Sequence, residues 1–80
     1  MKNAIREILR EHARINHPLD TLPDDADLYR AGMTSHASVN VMLAIEGALD
    51  IEFPDYMLRR NVFASIESIH AAIEELTAVR

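Results

Sequence analysis

The 80-residue chain contains no cysteine and no tryptophan, and only two phenylalanines and two tyrosines. Without cysteine there is no disulfide framework and no thiolate metal site, so burial must supply the stability. The same absence predicts a reducing compartment, with the cytoplasm as the default. No apolar stretch approaches the roughly 20 residues of a transmembrane helix. The N-terminal residues also contain no uninterrupted apolar stretch as long as that of a signal peptide.

Positive charge is also scarce, with 8 Lys and Arg against 13 Asp and Glu and a formal net charge of -5. A protein that binds the nucleic-acid backbone neutralises phosphate with Lys and Arg, so this balance argues against a nucleic-acid partner. Four of the acidic residues lie close together in one loop: Asp20, Asp24, Asp25 and Asp27. We interpret that loop as a solvated connector.

Apolar residues recur at helical spacing at both ends of the chain. The first stretch runs from Ile5 to Ile15 and predicts a helix over residues 2–15. The last begins after Ser65, a candidate cap, and continues through Ile66 and Ile69. Between residues 16 and 34, two prolines forbid regular helix and predict a long connection. We expect three leucines to hold that connection on the core: Leu19, Leu22 and Leu28.

A second helix is predicted over residues 35–49. Gly32 provides a turn before it, and Ser35 is a hydroxyl suited to capping it. Its apolar residues exceed one stripe, so part of its surface is expected to form a contact patch. Residues 55–60 predict a short helix. The expected fold class is therefore all-α, a small bundle of three principal helices plus one short helix, in a single domain over 1–80.

Two motifs stand about 15 residues apart in this order of elements. The first is the run Gly32, Met33, Thr34, Ser35 and His36, and the second reads Asp-Ile-Glu-Phe-Pro-Asp over residues 50–55. With both in register, the chain resembles the acyl carrier protein superfamily over nearly its whole length. In that family a Gly-x-Asp-Ser-Leu motif opens the second helix, and its serine accepts 4'-phosphopantetheine from coenzyme A.

The resemblance implies a covalent 4'-phosphopantetheine on Ser35, beside cofactor-binding positions Gly32, Met33, Thr34 and His36. It implies a monomeric thioester carrier without catalysis of its own. Its partners would be a phosphopantetheinyl transferase, an acyl or amino acid ligase and a downstream transferase. The partner-binding positions would be Val39, Asn40, Met42, Tyr56, Met57, Arg59 and Arg60.

The chain departs from the family pattern around the serine. Thr34, His36 and Ala37 stand where Asp, Leu and Asp are usual, and Asn40 replaces a common glutamate. Glu46 is the only acid between residues 35 and 49. The recognition face is therefore expected to be neutral and apolar, similar to carriers loaded with an amino acid rather than those of fatty-acid synthesis.

Other interpretations remain open from the sequence. Ser35 could be a plain N-cap in an unmodified helical adaptor that binds partners through its second helix. Ser38 and Ser65 are expected to be structural. No histidine pair has the i, i+4 spacing of a helical metal site, and a serine–histidine nucleophile lacks an orienting acid. The methionines at 33, 42 and 57 could lie in the core or provide adaptable contacts near the arm.

Overall fold

The computed structural model describes residues 1–78. Within that range, three α-helices form the bundle: α1 (Lys2–His12), α2 (Ser35–Leu49) and α3 (Ile66–Ala78). Two short 3-10 helices, Asp55–Met57 and Arg60–Phe63, connect α2 to α3. The all-α fold class and the bounds of α2 are confirmed, and the predicted short helix consists of these two separate turns. No helix in the described part is long and apolar enough to cross a membrane.

The predicted end of α1 at residue 15 is wrong, because the helix ends at His12. Ala13 still donates its N–H to the Leu9 carbonyl at 2.9 Å, but Arg14 adopts a left-handed conformation with φ 57. This turn lets the Asn16 N–H bond to a carbonyl just before α2, at 3.2 Å. Apolar periodicity continues beyond the helix because the residue at position 15 still packs against the core.

The long connection between α1 and α2 is part of the core. Leu19, Leu22 and Leu28 are all buried, as predicted. The connection is also bonded to the start of α3: the Leu28 N–H donates to the Ala64 carbonyl at 2.7 Å. Nearby, the Glu67 N–H donates to a loop carbonyl at 2.9 Å. A loop of this length therefore bridges α1 and α3 instead of lying free on the surface.

The acidic residues of that loop pair with the basic residues of α1. Asp24 accepts from Lys2 at 2.9 Å and also from Arg6, whose guanidinium reaches two loop carbonyls. Asp20 accepts from Arg10 at 2.9 Å. The interpretation of these residues as a solvated connector is therefore wrong for Asp24, which links the loop to α1. Asp20 remains solvated, with its side chain 84% exposed.

The core is aliphatic, with one aromatic contact. Phe53 and Phe63 meet edge to face, with ring centroids 5.3 Å apart, and this contact joins the two ends of the segment between α2 and α3. In the described part of the chain the buried residues are all apolar. The largest fully buried side chains come from all three helices and the long loop: Ile5, Leu9, Leu28, Val41, Ile45, Ile66, Ile69 and Ile73.

Candidate functional site

Two adjacent hydroxyl residues at the start of α2 have different roles. Thr34 is the N-cap, with extended backbone, and its Oγ1 accepts a hydrogen bond from the Ala37 N–H at 3.0 Å. Ser35 is the first helical residue and is exposed. The prediction that Ser35 caps the helix is therefore wrong by one residue. Because Thr34 fills that role, the Ser35 hydroxyl is not needed for capping.

The first turn of α2 suits an anion next to Ser35. The first N–H groups of a helix have no partner within it, and the aligned peptide dipoles give that end a partial positive charge. Here the Ala37 N–H is bonded to Thr34, whereas those of Ser35 and His36 precede the first intrahelical bond. A phosphodiester on the Ser35 oxygen would lie beside these donors.

Two further serines behave as expected for structural residues. The Ser38 Oγ donates to the Ser35 carbonyl at 2.6 Å, which stiffens the first turn of α2. At the start of α3, the Ser65 Oγ accepts from the Ser68 N–H at 3.0 Å and so caps that helix. Both hydroxyls are therefore engaged in local backbone structure.

Gly32 makes the turn that delivers the chain to α2. Its φ of 120 is a conformation that L side chains rarely adopt, and a Cβ there would lie 3.4 Å from Nδ2 of Asn16. Its N–H donates to the Tyr29 carbonyl at 3.2 Å. The glycine therefore acts on the site through backbone conformation.

Two of the predicted contact residues lie in the core instead. Met33 is only 2% exposed, and its backbone N–H donates to the Leu28 carbonyl at 3.0 Å. Met57 is 4% exposed. Both side chains face inward. The prediction that Met33 contacts the cofactor is therefore wrong, and so is the prediction that Met57 provides an exposed contact with a partner. His36 and Asn40 remain exposed on α2.

A cleft of about 380 Å³ lies beside Ser35, between α2 and the second 3-10 helix, and is called here the α2 cleft. Of the predicted site residues it brings together Ser35, Val39, Met42, Arg59 and Arg60. The rest of its apolar lining comes from Tyr29, Leu58 and Phe63. Sequence reasoning missed these three because nothing in their local pattern places them near residue 35.

A second groove, called here the α3 groove, lies between the 56–62 segment and α3. Tyr56 and Arg59 line it together with residues of α3. The Tyr56 hydroxyl donates to Glu75 at 2.8 Å across this groove. That hydrogen bond, with the nearby negative charge, raises the pKa of Tyr56 above its ordinary value. Arg59 borders both depressions, whereas Tyr56 belongs to the α3 groove alone.

The exposed face of α2 is uncharged, as the sequence predicts. Its one acid, Glu46, is occupied because Oε2 accepts the Phe53 N–H at 2.8 Å. This bond ties the end of α2 to the following segment. By contrast, Val39 and Leu43 are 48% and 54% exposed. As predicted, α2 therefore exposes apolar side chains beyond the stripe that faces the core.

Residues 3–76 match the family described as the phosphopantetheine attachment site, and the chain belongs to this family. Its members are carrier proteins, and the cofactor of the class is covalently attached 4'-phosphopantetheine. The helical bundle and the exposed serine at the start of α2 agree with that class.

Within the family, the chain is similar to aminoacyl carriers. It is 51% identical over 74 residues to an aminoacyl carrier protein of Agrobacterium fabrum (strain C58), covering 92% of this chain and 89% of the relative. The resemblance to aminoacyl carriers, as opposed to those of fatty-acid synthesis, is therefore confirmed.

Two solved structures are similar to this chain. One is a chain in the crystal structure of an engineered Bradyrhizobium japonicum glycine:[carrier protein] ligase complexed with the Agrobacterium tumefaciens carrier protein and AMP. It superposes with a TM-score of 0.89 at 51% identity, over 92% of this chain and 99% of that one. A solution structure from A. tumefaciens superposes with a TM-score of 0.75 at 49% identity, over 98% and 94% of the two chains.

Proposed function

We propose that Ser35 carries a 4'-phosphopantetheine arm on which this protein holds an aminoacyl group as a thioester. The observation that carries the proposal is the exposed Ser35 at the start of α2, left out of the cap by Thr34. Membership of the phosphopantetheine attachment family supports it, and so does the 51% identity to an aminoacyl carrier protein.

Attachment needs the Ser35 hydroxyl, coenzyme A as the donor of the phosphopantetheine group, and a transferase that joins the two. The serine oxygen bonds to the phosphorus next to pantetheine, the diphosphate P–O bond breaks, and adenosine 3',5'-bisphosphate leaves. The hydroxyl proton passes to the transferase. The new phosphodiester carries one negative charge, which the free N–H groups and the helix dipole at this end of α2 stabilise.

The partners follow from this chemistry. A phosphopantetheinyl transferase installs the arm, an amino acid ligase forms the thioester, and a downstream transferase removes the cargo. The ligase assignment is supported by the similar carrier complexed with a glycine:[carrier protein] ligase. The carrier itself contributes no catalytic group. We place it in the cytoplasm, where a reducing environment keeps the arm's thiol free.

Mass spectrometry of the intact protein tests the attachment. After incubation with coenzyme A and a broad-specificity transferase, wild type should gain the mass of one phosphopantetheine group, and Ser35→Ala should gain none. Ser38→Ala is the matched control, because its hydroxyl lies one turn further along α2, and it should be modified like wild type. Absence of added mass on wild type, or its persistence on Ser35→Ala, contradicts the proposal.

A loading assay tests the cargo. The modified protein, a glycine:[carrier protein] ligase, ATP and glycine should yield a thioester that hydroxylamine releases. The unmodified protein should remain unloaded. If the protein isolated from its native host is unmodified although a competent transferase is present, the unmodified adaptor would be the better description.

A further inference from the structure

The arginines beside the α2 cleft are unusual among the cationic residues of this acidic protein. Between residues 1 and 78, the ion pairs of lysine and arginine involve Lys2, Arg6, Arg10 and Arg30. Arg14, Arg59 and Arg60 take part in none of them and are exposed, and of these three only Arg59 and Arg60 line the α2 cleft. Two arginines that line the same cleft thus have no carboxylate partner in the described part of the chain.

Arg60 is held in position without using its hydrogen-bond donors. Its Cζ lies 3.8 Å from the centre of the Tyr29 ring, and the Tyr29 hydroxyl donates to the Arg60 carbonyl at 3.1 Å. Stacking uses the face of a guanidinium, whereas its N–H groups point outward in the plane. Arg60 is therefore ordered and still able to bind a carboxylate through two parallel hydrogen bonds.

The cleft next to these arginines is apolar and open. Val39 and Leu58, which line it, are 48% and 47% exposed. Ser35 lines the same cleft, so any macromolecule seated there has the attachment point beside it. An apolar depression bordered by two arginines without carboxylate partners is typical of a protein interface, in which the apolar part forms the centre and the charged part the rim.

We infer that the α2 cleft receives an apolar side chain of a partner enzyme and that Arg59 and Arg60 pair with carboxylates of that enzyme beside it. The inference rests on the proposed function only in taking the partner to be an enzyme that acts on the Ser35 arm. A basic pair on the carrier is complementary to an acidic surface on the partner.

The other anion near this site is the phosphodiester of the arm itself. A protein partner fits the observations better because Arg59 borders the α3 groove as well as the α2 cleft, so the basic pair extends away from Ser35. The single charge of the phosphodiester already has the first turn of α2 beside it. Two guanidinium groups match two carboxylates more closely than they match one phosphodiester.

Binding of the unmodified and modified protein to the Bradyrhizobium japonicum glycine:[carrier protein] ligase tests the inference by calorimetry. The double variant Arg59→Glu, Arg60→Glu should weaken both forms by about 10-fold or more at low salt, since attraction becomes repulsion. Raising the salt concentration should weaken ligase binding by the wild type and reduce the difference in affinity between wild type and the double variant. Each single variant, Arg59→Glu and Arg60→Glu, should also bind more weakly than wild type. Arg14→Glu is the charge-matched control for these single variants, because Arg14 is exposed and lies outside the cleft, and it should bind within about 2-fold of wild type.

Three results would overturn the inference. The double variant could bind like wild type, or Arg14→Glu could weaken binding as much as each single variant of Arg59 and Arg60, which would reduce the effect to net charge. A loss confined to the modified form would assign the arginines to the phosphodiester. Circular dichroism of each variant confirms folding. Added mass at Ser35 is measured separately, so failure of attachment and failure of docking are distinguishable.

The apolar part has its own test. Leu58→Ala should weaken ligase binding by about 5-fold or more while leaving the salt dependence unchanged, because it removes burial but no charge. Leu43→Ala is the matched control, since Leu43 is 54% exposed on α2 but does not line the cleft. Equal effects of the two substitutions would contradict docking in the α2 cleft.

Discussion

At the residue scale, Thr34 and Ser35 show how one position can decide what a hydroxyl does. Thr34 immediately precedes α2 and Ser35 begins it. Only Thr34 has the extended backbone from which a side chain reaches the Ala37 N–H. Ser35 already has helical backbone, so its side chain projects from the first turn and is exposed. The Thr34 cap therefore holds the first turn of α2 in place and leaves the Ser35 hydroxyl, the proposed attachment point, unused by the cap.

Removing the cap should cost stability. Thr34→Ala leaves the Ala37 N–H without its acceptor, and we expect the free energy of unfolding to fall by about 1 kcal/mol. For a domain of this size, that corresponds to a loss of about 4–8 °C in melting temperature. Thermal denaturation followed by circular dichroism measures it. Thr34→Ser should retain the cap, and Ser35→Ala should stay within about 0.5 kcal/mol of wild type. An equal loss in Ser35→Ala would place the cap at residue 35.

At the element scale, the long loop is ordered by charge as well as by burial. Asp24 stands between Lys2 and Arg6, and its backbone carbonyl accepts from Glu67 at the start of α3. One loop residue thus contacts the first and last helices. The hydrogen bond from Lys2, together with the positive charges of Lys2 and Arg6, holds the pKa of Asp24 below its ordinary value.

This lowered pKa predicts how the loop responds to acid. Because the native pKa lies below the unfolded one, Asp24 stabilises the fold above about pH 4 and loses this effect as pH falls through its native pKa. Asp24→Asn should therefore lower the urea midpoint at pH 7, and the difference from wild type should shrink as pH is lowered below 4. Partial solvent exposure of the carboxylate keeps the effect modest.

Asp25→Asn is the matched control for that experiment, because Asp25 is the exposed neighbour and takes part in none of the ion pairs between residues 1 and 78. Its urea midpoint should follow wild type at both pH values. A constant difference between Asp24→Asn and wild type across the pH range would show that the carboxylate charge does not hold the loop.

At the scale of the whole molecule, the core is built from residues that are distant in the sequence. Leu28, in the loop, is fully buried beside residues of all three helices. A short chain buries a smaller fraction of its surface than a large one, so a loop that adds leucines to the core adds needed stability. The loop also fixes the relative position of α2, and thereby of Ser35, on the bundle.

Truncation of a loop leucine tests this role. Leu28→Ala should lower the free energy of unfolding by about 2–5 kcal/mol, as for a helical core leucine, because it leaves a cavity. Leu43→Ala makes the same chemical change at an exposed position and should cost less than about 1 kcal/mol. Urea denaturation measures both. A small effect at Leu28 would mean that the loop lies on the core without stabilising it.

The sequence by itself determined the class of fold, the bounds of α2 and the family. Each depends on local information: apolar periodicity, prolines that interrupt it, and two short motifs in register. The proposal that Ser35 is the attachment residue also follows from a motif, and mass spectrometry of the intact protein tests it. The neutral face of α2 could be predicted because the acids usual there are absent from the chain itself.

Only the tertiary structure decided which residues surround the site. Met33 and Met57 could not be assigned to core or surface from the sequence, since an apolar side chain suits either until its neighbours are known. The α2 cleft depends on the loop, α2 and the second 3-10 helix meeting in space. The same is true of Arg60, whose place over Tyr29 joins residues 31 positions apart. The burial of these two methionines and the shape of the α2 cleft arise from packing between distant segments, which no local pattern encodes.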